Sequence, residues 1–188
     1  MAIKMKKYII ILILLLIPLT FSCASMLSKY VEAKQTYNSL IREVDTYIKS
    51  KSDADISAEL LVHYCLKDSV PIILALAQGQ LESGLGSAGR ATKTKSIWNV
   101  GAWDGHTHKT STNYSSFNES IPAYTSLIHR RYRDADPYKN FIDYNGNRYA
   151  SDLTYEYKLK RQSSYIKSTT NIDSLQTRLI NFYDDTNK

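Results

Sequence analysis

Ile72-Ile73-Leu74-Ala75-Leu76-Ala77-Gln78-Gly79-Gln80-Leu81-Glu82-Ser83-Gly84-Leu85-Gly86 is the stretch that decides the fold. From Ile72 to Leu81 it is apolar on every helical face, apart from Gln78 and Gln80, so it predicts a helix enclosed by other elements. Pro71 suits its first turn, and Gly84 and Gly86 mark its end. Glu82 then stands at the C-terminal end of a buried helix. Lost hydration and the partial negative charge of the helix terminus both disfavour its ionised form. A carboxyl held in that way suits proton donation near neutral pH. The bland alternative is an exposed helix-end glutamate.

Outward from this stretch the pattern is helical in both directions. Tyr37, Leu40, Ile41, Val44, Tyr47 and Ile48 form one apolar stripe that predicts a helix packed on the domain. Ser57 reads as an N-cap for a short helix over 58–66 with Leu60, Leu61 and Tyr64 inward. Residues 87–116 are loop-rich, with a short β-hairpin or a bare loop at 107–114. Helical periodicity returns after Ser120-Ile121-Pro122, and Asn145-Gly146 predicts a tight turn. Two closing helices are expected near 152–162 and 171–183. Ile172, Leu175, Leu179, Ile180 and Tyr183 should share a face of the second. The expected class is mainly α, a helical domain with a small loop or hairpin lobe.

The N-terminus carries a different signal. Lys4, Lys6 and Lys7 precede an apolar run from Tyr8 to Leu19, too short for a spanning helix of about 20 residues. This predicts a signal peptide over 1–25, an amphipathic helix or spacer over 26–55, and a catalytic domain over 56–188. Leu19-Thr20-Phe21-Ser22-Cys23 resembles a lipobox, which would make Cys23 a lipidation site and the protein a membrane-anchored lipoprotein of the cell envelope. Ser22-Cys23-Ala24 also fits ordinary cleavage and plain secretion. Removing Lys4, Lys6 and Lys7 lowers the formal net charge from +6 to +3, too mild for a nucleic-acid binder. Cys65 then lacks a partner, so no disulfide is expected and a buried thiol is the simple reading. The 15 tyrosines suit sugar stacking as well as core filling.

Leu74 to Gly86 resembles the signature of the glucosaminidases of glycoside hydrolase family 73, within the lysozyme-like superfamily. Ser96-Ile97-Trp98-Asn99-Val100-Gly101-Ala102, Tyr114-Ser115-Ser116-Phe117-Asn118-Glu119-Ser120-Ile121 and the Arg131-Tyr132 pair are similar to later segments of the same family. The likeness covers about residues 57–183. It implies a lysozyme-like fold and cleavage of peptidoglycan glycan strands after N-acetylglucosamine, without a cofactor or metal. It also implies that Glu82 is the acid and that Tyr132 lines its site. Trp98, Asn99, Trp103, Gln78 and Ser83 would contact substrate, with a core plug as the other reading of Trp98. The second carboxylate stays open between Asp104 and the substrate's own acetamido group, and Glu119 is read as supporting the next helix. His106 and His108 have no third ligand at a metal-binding spacing. A lytic transglycosylase, a silent wall-binding lipoprotein and a glycoprotein-directed glucosaminidase are the competing readings.

Overall fold

The computed structural model describes residues 2–100 and 113–186, with side chains from 26 to 100 and 113 to 185. Seven helices occur among them: α1 (Ala2–Lys49), α2 (Ala58–Lys67), α3 (Ile72–Ser83), α4 (Ala91–Thr94), α5 (Phe117–Arg131), α6 (Tyr155–Thr169) and α7 (Ile172–Thr186). The architecture is mainly α, as expected. α3 lies among α2, α6 and α7, while α1 runs along α2 and α7, and α5 packs on α2.

Enclosure of α3 follows from its composition. Every residue from Ile72 to Gly79 is buried, which removes the largest apolar run of the domain from water. Burial also strips solvent from the first N–H groups of the helix. The Ile72 N–H donates to the Gln176 side-chain oxygen at 2.9 Å, and the Gln176 amide donates to Val70 O at 3.2 Å. A side chain from α7 thus does the work of an N-cap that Pro71 cannot do.

The other end is a tight reversal. Gly84, Leu85 and Gly86 all take positive φ, at 56°, 54° and 83°. Glycine adopts this at no steric cost, whereas Leu85 is held there by full burial of its side chain. A Cβ on Gly86 would stand 2.7 Å from the Phe117 ring, so the close approach also requires glycine.

Leu40, Val44, Tyr47 and Ile48 of α1 are buried in the common core, as the stripe predicted. Cys65 is buried and unpaired, and burial pushes its thiol far above the ordinary range. Ser57 caps α2 by accepting from the Leu60 N–H at 3.2 Å. Two helix faces differ from expectation. In α2 the inward residues are Ala58, Leu61, Val62 and Cys65, while Leu60 is exposed and Tyr64 half-buried. In α7 Ile172 and Leu179 are buried, but Ile180 and Tyr183 are exposed because the stripe is narrower than its apolar sequence.

Helix α5 starts at Phe117, ahead of the expected restart, and encloses Pro122. Proline there leaves only the Asn118 carbonyl without its helical partner, a small loss beside the burial of Phe117 and Ile121. Between α5 and α6 lies a small lobe with two isolated β-bridges, Asp136 to Asn140 and Ile142 to Arg148. Its turn at Asn145-Gly146 is held by Asp143 Oδ1, which accepts from the N–H groups of Asn145 and Asn147. These bridges are the β pairing among the described residues. Most of the hairpin expected at 107–114 lies outside them.

Candidate active site

Glu82 is half-buried on the last turn of α3. Its Oε1 accepts a hydrogen bond from the Tyr155 hydroxyl at 2.8 Å. That bond ends a chain running through the core. Tyr124 O–H donates to Gln78 Oε1, Gln78 Nε2–H donates to the Tyr155 hydroxyl at 3.2 Å, and Tyr155 donates to Glu82. Gln78 and Tyr124 are fully buried, so the chain meets solvent only at its Glu82 end.

The electrostatics follow from burial. Desolvation raises the Glu82 pKa above the ordinary 4.5, against the opposing pull of hydrogen bonds from Tyr155 and Asn99. Burial, then the neighbouring Tyr149 and Glu82, lifts the Tyr155 phenol far beyond its usual range. Tyr149 is raised for the same reason, with the charge of Glu82 as the second cause. Both phenols therefore stay neutral and can act as hydrogen-bond donors. Tyr149 stacks on Tyr155 at 5.6 Å between centroids and on Phe141 at 4.7 Å, and Tyr132 meets its edge at 5.4 Å. An aromatic wall thus links the small lobe to Glu82.

Asn99 was expected near substrate, and the structure brings it to Glu82. Its side-chain amide donates to the Glu82 backbone carbonyl at 3.1 Å, from a residue with φ of 49°. Asparagine tolerates that conformation better than most residues. Tyr132 is buried in the wall, two rings away from the Glu82 partner Tyr155.

Three expected substrate contacts are placed inside the protein instead. Trp98 is 2 % exposed, donates its indole N–H to Ala75 O at 2.8 Å and stacks on Tyr124 at 4.2 Å. It is the core plug. Gln78 spends its amide on Tyr124 and Tyr155. Ser83 donates to Ile97 O at 2.7 Å and accepts from Gly86 N–H at 2.8 Å, stapling the reversal to the segment carrying Trp98 and Asn99. These polar groups are buried, and burial demands internal partners. Trp103 and Asp104, with His106 and His108, lie outside the described residues. Among the described residues no group of His, Cys, Asp and Glu could hold a metal.

Carboxylates near the small lobe are committed elsewhere. Asp143 holds its turn, Asp152 binds Lys158 and Thr154, and both oxygens of Glu156 accept from Arg148 Nη2. Glu119 accepts from the Ser115 N–H and hydroxyl at the start of α5, the supporting role read for it. Glu82 is therefore the carboxyl with a raised pKa among the described residues.

A family model described as mannosyl-glycoprotein endo-beta-N-acetylglucosaminidase matches residues 58–168. The chain belongs to this glucosaminidase family. It is a glycoside hydrolase by that membership, and the match contains α2 to α6 almost entire, with Glu82, Asn99, Tyr132, Tyr149 and Tyr155. Comparisons with curated proteins and with solved structures find no match. In this glucosaminidase, Tyr149 and Tyr155 are the site neighbours that the sequence reading did not find. Tyr155 had one weak signal: with Leu159 and Ile166 it begins an inward stripe. Nothing local says that the stripe meets Glu82, 73 residues earlier.

Proposed function

We propose that the protein is an exported peptidoglycan hydrolase that cuts the β-1,4 bond after N-acetylglucosamine, with Glu82 as the general acid. The observation carrying this reading is the half-buried Glu82 carboxyl, its pKa raised by desolvation, on the motif helix of a glucosaminidase-family domain. Protonated Glu82 gives its proton to the glycosidic oxygen as the bond to the anomeric carbon breaks. Water finally adds its oxygen to that carbon, its spare proton passes to a carboxylate so that Glu82 is reprotonated for the next cycle, and a new reducing end is left. Tyr155 orients the acid by holding Oε1. Asn99, bonded to the carbonyl of the same residue, fixes the backbone beneath it.

Positive charge at the anomeric carbon is met either by Asp104 or by the acetamido oxygen of the sugar itself. Asp104→Asn separates the two routes. A rate loss of about a hundredfold or more assigns Asp104 as nucleophile or base, and an unchanged rate assigns the acetamido group. For export, the reading rests on Lys4 to Cys23, with Cys23 carrying the lipid. Among the described residues no helix is long and apolar enough to cross a membrane. Cys23→Ala should move the protein from the membrane fraction to the soluble one, and unchanged membrane retention would remove the lipid anchor.

Digestion of purified peptidoglycan by residues 26–188 tests the whole, with products read by mass spectrometry. Reducing N-acetylglucosamine ends are the expected result. Ends carrying a 1,6-anhydro ring on muramic acid would reassign the reaction as lytic transglycosylation. No release by a folded protein would reassign the domain to wall binding.

A further inference from the structure

Beside Glu82, on another face of α3, lies a groove of about 430 Å3 bounded by the ends of α1 and α3 and the outer side of α6. Three cations line it, Lys51, Lys158 and Arg161, and no acidic residue does. Lys158 is partly neutralised by Asp152, whose carboxylate it meets at 2.6 Å. Lys51 is held over the rings of Tyr165 and Tyr47, at 5.1 and 5.9 Å, which positions the ammonium without cancelling its charge. Arg161 has no hydrogen bond or ion pair among the described residues. The groove therefore carries about two uncompensated positive charges.

Its remaining polarity is of a different kind. Gln80, on the groove wall, has a buried Oε1 with no hydrogen-bond partner. A buried acceptor without a donor is costly, and rotation of the half-buried Gln80 side chain toward a ligand N–H in the groove would relieve it. Leu81 adds an exposed apolar surface. Cations for carboxylates, an acceptor for an amide N–H and an apolar patch together describe a short acidic peptide. A phosphate ester would leave Gln80 unsatisfied.

We propose that this groove is the subsite for the stem peptide carried by the glycan strand that Glu82 cuts, a reading that rests on the peptidoglycan assignment above. Position supports it. Gln80 and Leu81 immediately precede Glu82 on α3, and Lys158 lies within one turn of Tyr155 on α6. In peptidoglycan the peptide branches from the sugar adjoining N-acetylglucosamine, so a strand bound over Glu82 brings its peptide into this neighbourhood.

The test uses the non-cleaving Glu82→Gln protein and two probes, peptidoglycan fragments with stem peptides and the same strands after amidase has removed them. Binding isotherms at low salt should show about tenfold tighter binding to the peptide-bearing strands. Arg161→Glu should erase that ratio. Lys93→Glu, an equal change of net charge at another exposed site, should keep it. Equal binding of both probes, or a ratio that survives Arg161→Glu, overturns the proposal. Digestion by the wild-type chain separates the two readings. Reducing ends with no peptide preference in binding remove the subsite and leave the glucosaminidase reading. A peptide preference with no reducing ends does the opposite.

Discussion

The two walls around Glu82 were built in different ways. Residues 72–99 form one wall from contiguous chain, in which each motif position has a local task. Ala75 receives the Trp98 indole, Ser83 staples the reversal, and Gly86 admits Phe117. Gly79 does similar work: a Cβ there would stand 2.9 Å from Leu85 and 3.3 Å from the Trp98 nitrogen. Residues 132–166 form the other wall and return from far along the chain. They hold Tyr155 against Glu82 by aromatic stacking and by Arg148 Nη2, which donates to both Glu156 oxygens at 2.7 and 2.8 Å. The first wall is a spacing code that can be read from sequence. The second is a tertiary fact.

The largest expected effect lies at the junction of the walls. Glu82→Gln should lower kcat on peptidoglycan by about a thousandfold, measured by reducing-end release, with the circular dichroism spectrum unchanged. Retained activity would remove the acid from α3 and leave the two walls without a shared catalytic group.

Next come two stability tests, one for each wall. Gly86→Ala forces a Cβ against Phe117 at positive φ and should cost about 2–3 kcal/mol in urea unfolding. Arg148→Ala leaves Glu156 nearly buried, without its counter-ion and with only the Phe141 N–H on Oε1 at 3.3 Å. Since Arg148 itself is about one-third exposed, with a side-chain relative exposure of 35 %, the expected cost is about 2 kcal/mol. A cost near zero at Arg148 would mean that aromatic packing alone positions the returning wall.

Smaller still is Tyr155→Phe. Removing one hydrogen bond to the acid should lower kcat by about fivefold. That bond stabilises the ionised form, so its loss raises the Glu82 pKa further and moves the alkaline limb of the rate profile to higher pH. An unmoved limb would make Tyr155 a packing residue.

The smallest effect is thermodynamic. A carboxyl whose folded pKa is raised favours folding only while protonated. Its contribution is complete below the ordinary 4.5 and is lost as pH rises through the raised value. Glu82→Gln should therefore raise Tm at pH 8 and leave it unchanged near pH 4. An equal Tm change at both pH values would deny that Glu82 is strained by ionisation.

Much of the fold was legible because burial leaves a compositional mark. The unbroken apolar run of α3, the stripe of α1, the Ser57 cap and the glycines after Glu82 all kept the roles read for them. Helix faces were less legible. Leu60 and Leu61 are equally apolar, and only the position of neighbouring helices selects Leu61. Ile180 and Tyr183 widen an apolar stripe that α1 covers only in part. Motif membership also misled where polar groups are concerned. Gln78, Ser83 and Trp98 stand in or beside the signature because they support Glu82 from below, and a sequence pattern does not distinguish the side facing substrate from the side facing the core.

The hydrogen-bond chain from Tyr124 has a direction. Gln78 receives on its oxygen and gives from its nitrogen, so Tyr155 has its proton left for Glu82 and always points it at Oε1. An oxygen already accepting that proton is poorly placed to carry one of its own. A proton taken up by Glu82 is therefore expected on Oε2. The buried Gln78 amide, two hydrogen bonds away, thus makes the two oxygens of Glu82 unequal, and a group arriving at the carboxyl meets the same one each time.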